Sequence, residues 1–342
     1  MKNTNKEMTD FEKEIIHKID TKTKPPGALG KLEDLAFRIA KIQNTLSPVL
    51  KKPAMLVFAA DHGISDEGVS PFPKEVTWQM VMNFVSGGAA INVFCKQNNF
   101  DLNVVDAGVD YDFPKTEGLI HAKIDYGTQN MKLTEAMSIE QCKEALKKGA
   151  EIVDKKASEG CNIIGFGEMG ISNTSSASVL MSKFCKIPIE ETVGKGTGLD
   201  DKGILHKKSI LKEVMELHKD KTKPLEILAS VGGFEIAMIT GAMLKAYQNN
   251  MIILIDGFIS TAALLAAHAM ENNILDHCIF THKSDENGHA KMLEFLHADP
   301  ILHLNMRLGE GSGAAVAYPI IESAVNFLNN MASFESAGVS EK

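Results

Sequence analysis

A recurring unit constrains the fold of this chain more than any other feature: a short continuous apolar run, a turn with Gly or Asp, and a helical stretch. Such runs, rich in Val, Ile and Leu, are typical of strands buried on both faces of a parallel sheet, with helices as right-handed crossovers. The strand segments predicted in this way are AMLVFAADHG, DLNVVDAGVD, CNIIGFGEMG, LEILASVGGFE, MIILIDGFIS and HCIFTHKS. We therefore predict an α/β protein with a Rossmann-like, mostly parallel sheet flanked by helices.

The two chain ends lack this unit and have helical spacing instead. The last segment contains AAVAYPIIESAVNFLNNM, in which Pro319 would lie near the helix start or kink the helix. Near the amino terminus, an amphipathic helix is predicted from about Lys31, after a Pro-Pro-Gly turn. The residues predicted to share its buried side are Leu32, Leu35, Ala36, Ile39 and Ile42.

Composition and charge argue against several classes of protein. The chain has 342 residues and a formal net charge of −8, which argues against a nucleic-acid-binding surface. The most apolar stretch, 251–270, is interrupted by Asp256 and Gly257, so a strand followed by a helix fits it better than a membrane span. The five cysteines form no C-x-x-C pair. We expect a cytoplasmic protein with neither a nucleic-acid nor a membrane partner.

Polar residues and glycines gather where the apolar runs end. Because ligands of open parallel sheets bind outside the carboxyl ends of the strands, these residues predict chemistry along one edge of the sheet. The residues are Asp61-His62-Gly63, Asp106-Ala107-Gly108, Gly167-Glu168, Gly232-Gly233, Asp256-Gly257 and His282-Lys283-Ser284.

The stretch GFGEMGISNTSSAS, 165–178, combines a G-x-G-x-x-G pattern with a polar helix start at Asn173. Backbone N–H groups at such a start can hold a phosphate. No acid about twenty residues further on ends a second strand, so a dinucleotide site is not favoured. We predict a mononucleotide site in which Glu168, inside the loop, faces a ribose hydroxyl or a base. A purely structural tight turn is the alternative.

Three other stretches carry weaker signals. VGKGTGLDDKGILHKKSI, 193–210, is predicted to be a long glycine-rich loop that is either mobile or wraps a ligand, and one of its lysines could contact a phosphate. Asp61-His62 lacks further metal ligands at suitable spacing, so we predict no metal site and interpret Asp61 as a hydrogen-bond acceptor that shapes its loop. HKSDENGH, 282–289, does not favour a Ser-His triad, because the chain has no G-x-S-x-G elbow. Asp256 is interpreted as a possible cap of the helix that follows it.

The stretch RLGEGSGAA, 307–315, places one carboxylate, Glu310, among three glycines. Glycine costs ordering entropy on folding, so three glycines in five positions must serve a geometric need.

Together these stretches resemble the nicotinate-nucleotide–dimethylbenzimidazole phosphoribosyltransferases, the CobT family. The resemblance covers almost the whole chain in order. It rests on KPPGALGKLE (24–33), FAADHGISDEGVSPFPKEVTWQM (58–80), SGGAAINVF (86–94), GFGEMGISNTSSAS (165–178), VGKGTGLDD (193–201), VGGFEIAMITGAML (231–244), IDGFIST (255–261), HKSDENGH (282–289) and RLGEGSGAA (307–315).

The resemblance implies transfer of the phosphoribosyl group of nicotinate mononucleotide to 5,6-dimethylbenzimidazole, with inversion at the anomeric carbon and without metal or cofactor. It also implies a homodimer. It implies a small helical domain from residues 1–50 and 312–342, beside an α/β catalytic domain of residues 51–311.

Residue roles follow from the same resemblance. Glu310 falls at the position of the family's general base, and Gly309 and Glu310 border the base pocket. One carboxylate suffices, because nicotinate leaves as a neutral pyridine-type base and only the acceptor loses a proton. The other residues expected to bind substrate are Glu168, Gly170, Asn173, Thr174 and Ser175 near the nucleotide, Lys207 and Ser284 at the phosphate, and Met80 in a stretch that varies among members.

Alternative functions stay open at this point. The acceptor could be another benzimidazole, a purine or a phenol. The chain could be a non-catalytic partner of an active paralogue, although Glu310 argues against that role. Folding pattern alone would also allow a dinucleotide-dependent oxidoreductase. The only tryptophan, Trp78, either points outward or packs on a helix, or it shapes the base pocket.

Overall fold

The computed structural model describes residues 8–194, 196 and 198–340. The chain forms two compact units, Met1–Lys51 with Tyr318–Lys342, and Lys52–Ala317. The domain boundaries predicted from the sequence, at 50/51 and 311/312, stay a prediction. Among the described residues, no helix combines the length and the apolarity that a membrane span needs.

The larger unit contains a six-stranded sheet in which every neighbouring pair of strands is parallel. The strand order, β3-β2-β1-β4-β5-β6, is the order of a doubly wound Rossmann-type sheet. The predicted α/β fold with a parallel sheet is therefore confirmed. The strands are β1 (Ala54–Ala60), β2 (Asp101–Gly108), β3 (Leu119–His121), β4 (Ile163–Met169), β5 (Ile252–Ile255) and β6 (Cys278–Phe280).

Helices connect and cover these strands, and helices also make up the smaller unit. Two 3-10 helices, Gly63–Glu67 and Asn272–His277, lie in connections. The α-helices are α1 (Asp10–Asp20), α2 (Lys31–Ile42), α3 (Val76–Val85), α4 (Ala90–Gln97), α5 (Ile139–Ser158), α6 (Asn173–Cys185), α7 (Ile189–Thr192), α8 (Asp201–Leu217), α9 (Pro224–Val231), α10 (Phe234–Gln248), α11 (Phe258–Met270), α12 (His289–Phe295), α13 (Ser312–Asn330) and α14 (Phe334–Ala337).

Strand β1 explains why the apolar runs are continuous rather than alternating. All seven of its residues are buried. Leu56 and Phe58 belong to the main core, which also takes in side chains of α5, α10 and α11. Met55 points to the other face, where its terminal atoms lie close to Gly165 and Gly311. Both faces of the sheet are thus covered, and a strand in this position buries every side chain.

The predicted strand in LEILASVGGFE is wrong: this segment forms helix α9. Pro224 occupies the first turn of that helix, where its missing N–H costs nothing and its fixed φ suits the helix. The run is continuously apolar because α9 packs against α5, α6 and α11, so that its residues 227–231 are all buried. Gly232-Gly233 therefore connects two helices and does not end a strand.

The predicted loop over 193–210 is too long. Helix α8 begins at Asp201, because the side chain of Asp200 accepts a hydrogen bond of 2.8 Å from the N–H of Gly203 and caps the helix. Lys202, Lys207 and Lys208 consequently lie on a helix, whereas Lys195 is outside the described residues.

The terminal helices agree with their sequence pattern. Helix α2 starts at Lys31 and buries four of the five predicted side chains, whereas Leu32 is half-buried. Pro319 lies inside α13. A proline cannot donate to the carbonyl four residues earlier, and the side-chain amide of Asn98 donates to that carbonyl, of Ala315, at 2.8 Å.

Candidate active site

A cavity of about 360 Å³ lies in the larger unit, at the carboxyl ends of β4, β5 and β6. Glu168 reaches it from the end of β4, Asp256 follows β5, and Ser284 follows β6. The polar residues predicted to gather at one edge of the sheet therefore do meet at the cavity for these three strands. Asp61, which follows β1, does not line the cavity. It accepts a hydrogen bond of 2.8 Å from the N–H of Asp110, in agreement with its interpretation as an acceptor that shapes its loop.

One wall of the cavity is apolar. Val76 and Met80, one turn apart on α3, line it together with Phe72, Ile171 and Leu308. Helical spacing explains why Val76 and Met80 share a face. Trp78, two residues from each of them, does not line the cavity. Its ring stacks on Tyr111 with 4.6 Å between centroids.

Glu310 lines the same cavity in an unusual backbone conformation. Its φ is 62°, and Gly309 and Gly311 on either side have φ values of 83° and 86°. The side chain is 6% exposed, and its Oε2 accepts a hydrogen bond of 3.3 Å from the N–H of Ile91 at the start of α4. Burial raises the pKa of Glu310, and the nearby charge of Asp256 raises it further. The carboxyl group thus has the pKa direction of a general base that works near neutral pH.

Two glycines of the G-x-G-x-x-G pattern, Gly167 and Gly170, serve backbone packing. Gly165 and Gly167 lie within β4, and so does Glu168, which corrects the prediction that Glu168 lies inside a loop. A Cβ atom on Gly167 would lie 2.1 Å from the carbonyl oxygen of Glu310, and one on Gly170 would lie 2.5 Å from the carbonyl oxygen of Ala60. The pattern therefore lets β4 approach two neighbouring backbone segments.

The side chain of Glu168 packs against Gly309, the residue that precedes Glu310 in the chain. A Cβ atom on Gly309 would lie 2.3 Å from Oε1 of Glu168. The other carboxyl oxygen of Glu168 accepts a hydrogen bond from the side-chain amide of Asn173. Burial raises the pKa of Glu168 to about 8, against the opposing effect of the Asn173 hydrogen bond. The raised pKa favours the protonated form of this carboxyl group, which can both donate and accept hydrogen bonds.

A buried cation lies beside the cavity. Lys207 of α8 is 1% exposed, and its Nζ donates a hydrogen bond of 2.7 Å to Oγ1 of Thr174. Burial lowers the pKa of Lys207 to about 8. Lys207 lines a small space that shares Gly170, Asn173 and Thr174 with the main cavity. An ammonium group beside the amino terminus of α6 is suited to an anion.

Most of the residues predicted to bind substrate come together here. Ser175 does not line either space: its side chain is fully buried, and its N–H bonds to the carbonyl of Ser172. Lys207 lines only the small space. The predicted residues that line the main cavity are Met80, Glu168, Gly170, Asn173, Thr174, Ser284, Gly309 and Glu310.

Sequence reasoning assigned no role in the site to Arg307 or Glu286, which also line the cavity. Nη1 of Arg307 donates a hydrogen bond of 3.1 Å to the carbonyl of Gly196, so it ties the loop before α8 to the cavity. A signal was available for Arg307: the chain has only two arginines, and this one is three residues before Glu310. No comparable signal marks Glu286.

Two histidines near the site, His289 and His62, have structural partners. Nδ1 of His289 accepts a hydrogen bond of 2.8 Å from the N–H of Ser284, and its Nε2 contacts Oγ1 of Thr261 at 3.0 Å. This arrangement is not that of a catalytic triad, in which the serine hydroxyl faces the imidazole. His62 turns to Glu235, with 2.7 Å between Nε2 and Oε1. Within the described ranges, no group of three or more His, Cys, Asp or Glu side chains is arranged to hold a metal ion.

Comparisons with known proteins agree on one family. A family model described as phosphoribosyltransferase matches residues 5–339. A nicotinate-nucleotide–dimethylbenzimidazole phosphoribosyltransferase of Cupriavidus necator is 51% identical over 327 residues, covering 96% of this chain and 94% of the relative. The enzyme of the same name from Dechloromonas aromatica is 52% identical over 335 residues, covering 97% and 96%.

The fold agrees as well. The crystal structure of CobT from Thermus thermophilus superposes with a TM-score of 0.94 at 39% identity, covering 98% of this chain and 100% of that one. The cavity, its acidic and apolar walls and these matches along the whole chain lead to one conclusion: the chain belongs to this phosphoribosyltransferase family.

Proposed function

We propose that this chain transfers the phosphoribosyl group of nicotinate mononucleotide to 5,6-dimethylbenzimidazole, with Glu310 as the general base. The products would be α-ribazole 5′-phosphate and nicotinate, in the lower-ligand branch of cobalamin biosynthesis. The names of the relatives support this pair of substrates. The observation that carries the proposal is the position of Glu310: its buried carboxyl group, one of several that line the cavity, has a raised pKa and shares the cavity with the apolar wall.

The chemistry requires one proton acceptor. The bond between C1′ and the pyridinium nitrogen breaks, and nicotinate leaves with the bonding pair as a neutral ring that needs no acid. One nitrogen of the benzimidazole forms the new bond to C1′ from the opposite face, through a transition state with oxocarbenium character. The other ring nitrogen gives its proton to Glu310, which enriches the attacking ring in electrons.

The cavity offers a place for each part of the substrates. The planar acceptor fits the apolar wall of Phe72, Val76 and Met80. The phosphate is placed at the small space beside the cavity, where Lys207 and the amino terminus of α6 favour an anion. Between these two ends, the protonated carboxyl group of Glu168 can hydrogen-bond a ribose hydroxyl.

The test is the substitution Glu310→Gln, which keeps the size of the side chain and removes its basicity. The variant should melt within a few degrees of the wild type and lose about 100-fold or more of kcat. Product formation is measured at saturating concentrations of both substrates. Turnover near that of the wild type would remove Glu310 from the mechanism.

The acceptor is tested separately, because the apolar wall also suits other planar rings. A mixed pool of 5,6-dimethylbenzimidazole, other benzimidazoles, adenine and p-cresol is offered with nicotinate mononucleotide, and the products are separated. We expect the dimethylbenzimidazole product to dominate. Transfer by the purified chain alone would also exclude a non-catalytic partner role.

We further propose that the chain acts as a homodimer in the cytoplasm. The dimer rests on the resemblance to the CobT family. The cytoplasm is supported by the cysteines, which form no disulfide bond within the described part of the chain, as expected in a reducing compartment. Sedimentation equilibrium at micromolar concentration should give twice the mass of 37.2 kDa. A monomer that is fully active would contradict the dimer proposal.

A further inference from the structure

Asp256 caps a helix that begins more than fifty residues after it. Its carboxylate is 2% exposed and follows β5 directly. Oδ1 accepts hydrogen bonds from the N–H groups of Gly313 at 2.7 Å and Ala314 at 3.3 Å, and Oδ2 accepts one from the N–H of Gly311 at 3.1 Å. These N–H groups lie at the start of α13, where a helix leaves its donors unsatisfied. Asp256 was expected to cap the following helix, but it caps α13.

The hydrogen bond to Gly311 concerns Glu310 directly. The N–H of Gly311 and the carbonyl of Glu310 belong to the same peptide group. The carbonyl side of this group packs on the Cα atom of Gly167 in β4, and the N–H side bonds to Asp256 after β5. Two neighbouring strands of the sheet therefore hold one peptide group from both sides.

This restraint lies where the backbone most needs one. Glu310 is in the left-handed region, which an L-residue with a Cβ atom adopts only when its surroundings impose it. The glycines on either side do not restrict the backbone themselves, because glycine populates both signs of φ. Without an acceptor for the N–H of Gly311, the peptide group after Glu310 would be free to rotate, and the carboxyl group would leave its place in the cavity.

We propose that Asp256 is a positioning residue for Glu310: by accepting the N–H of Gly311, it fixes the backbone that aims the Glu310 carboxyl group into the cavity. This inference rests on the proposed function, in which Glu310 is the base. Oδ1 of Asp256 already accepts two backbone N–H groups and Oδ2 accepts one, so three of the four lone pairs of the carboxylate hold the backbone, and Asp256 acts through Glu310.

The substitution Asp256→Asn tests the proposal with nearly unchanged volume. An amide has only one oxygen, so its NH₂ group must face either Gly311 or the pair Gly313 and Ala314, and donor would meet donor. We expect kcat to fall about tenfold or more, while KM for nicotinate mononucleotide changes less than about threefold, because a misplaced base affects the chemical step.

A double-mutant cycle with Glu310→Gln separates positioning from a general structural effect. If Asp256 acts through Glu310, the double variant should be no more than about twofold slower than Glu310→Gln alone. An undiminished loss in the Glu310→Gln background would overturn the positioning role, even with Glu310 confirmed as the base. Wild-type turnover of Glu310→Gln would instead overturn the proposed function, whatever Asp256→Asn does.

Two further variants complete the design. Thr281→Val is the matched control: it removes a buried hydrogen bond of 2.7 Å to the carbonyl of Ile255 beside the neighbouring strand end, outside the cavity, and should keep kcat within about twofold. If Asp256→Asn lacks a cooperative melting transition, Asp256→Ser replaces it in the cycle, because Ser keeps an accepting oxygen. Failure of both variants to fold would overturn the proposal, since Asp256 would then be required for the fold itself.

Discussion

Gly167 and Glu310 are in backbone contact: no side chain fits between the Cα atom of the one and the carbonyl oxygen of the other, because a Cβ atom would come within 2.1 Å. The position of the candidate base thus depends on a strand residue that carries no functional group.

The substitution Gly167→Ala should therefore impair catalysis. The added methyl group meets backbone, which cannot move aside cheaply, so the loop carrying Glu310 must shift. We expect a loss of kcat of about tenfold or more and a destabilisation of about 1–3 kcal/mol. Steady-state kinetics and urea unfolding measure the two effects.

Gly165→Ala is the control on the same strand. Its new methyl group would meet the terminal methyl group of Met55 at 2.6 Å, and a methionine side chain can change rotamer. Activity close to the wild type is expected. Equal losses in both variants would show that β4 tolerates no added volume, and that the contact with Glu310 is not special.

Lys207 should govern the affinity for the phosphate of nicotinate mononucleotide. Lys207→Met removes the buried ammonium group, and we expect KM to rise about tenfold or more with a smaller change in kcat. Because burial lowers the pKa of Lys207 to about 8, the wild-type affinity should also weaken as the pH rises above 8, where the ammonium group loses its proton.

Titration calorimetry with nicotinate mononucleotide between pH 7 and pH 9 tests this dependence. Lys202→Met, one turn or more away on the exposed side of the same helix, is the control and should bind like the wild type. A phosphate affinity of Lys207→Met equal to that of the wild type would place the phosphate elsewhere.

Glu168 should make the protein less stable as the pH rises. Its pKa is raised from 4.5 to about 8 in the folded state, so the folded protein binds more protons than the unfolded chain between these values. The free energy of unfolding therefore falls with rising pH in that window, by up to about 1.4 kcal/mol per pH unit for one proton.

Glu168→Gln removes this contribution. Its melting temperature should fall less between pH 5 and pH 8 than that of the wild type, although other buried acids retain their own share. Parallel pH profiles for the two proteins would mean that Glu168 is ionised in the folded state throughout.

The buried pair of His62 and Glu235 should contribute to stability. Both side chains are at most 1% exposed, and Oε2 of Glu235 has no hydrogen-bond partner among the described residues. His62→Ala would leave the Glu235 carboxyl group without its partner, which costs about 3–5 kcal/mol for a buried charge.

Lys74→Ala, which breaks an exposed pair with Asp110, is the comparison and should cost less than about 1 kcal/mol. Urea unfolding measures both variants. A cost for His62→Ala as small as that for Lys74→Ala would show that the contact between His62 and Glu235 does not stabilise the folded chain.

How far the sequence predicts the fold depends on how local each signal is. The strands are predictable, because continuous runs such as AMLVFAA report burial on both faces. The same signal misleads in LEILASV, since a buried helix can be equally apolar, and only Pro224 at its start indicates a helix.

Most residues of the candidate site can be predicted from the sequence, but the contacts that hold them in place cannot. A carboxylate among glycines is visible at Glu310, and a lysine such as Lys207 can be assigned by resemblance. The cap that Asp256 provides is not visible, because its partners lie more than fifty residues away in sequence. Likewise, the sequence alone indicates a phosphate-binding loop for the glycine pattern in β4, and only the structure shows its contact with Glu310.

The contact between β4 and the segment 307–315 has a consequence for how such proteins can change. Glycines in each segment pack against the backbone of the other, so the two segments form one closely fitted contact. More than 130 residues separate them in sequence. A chimera that takes only one of these segments from a distant homologue risks a mismatch at this contact, whereas a chimera that takes both segments keeps the contact. New acceptor specificities should therefore arise through Phe72, Val76 and Met80 of the apolar wall, which can vary while this contact is inherited unchanged.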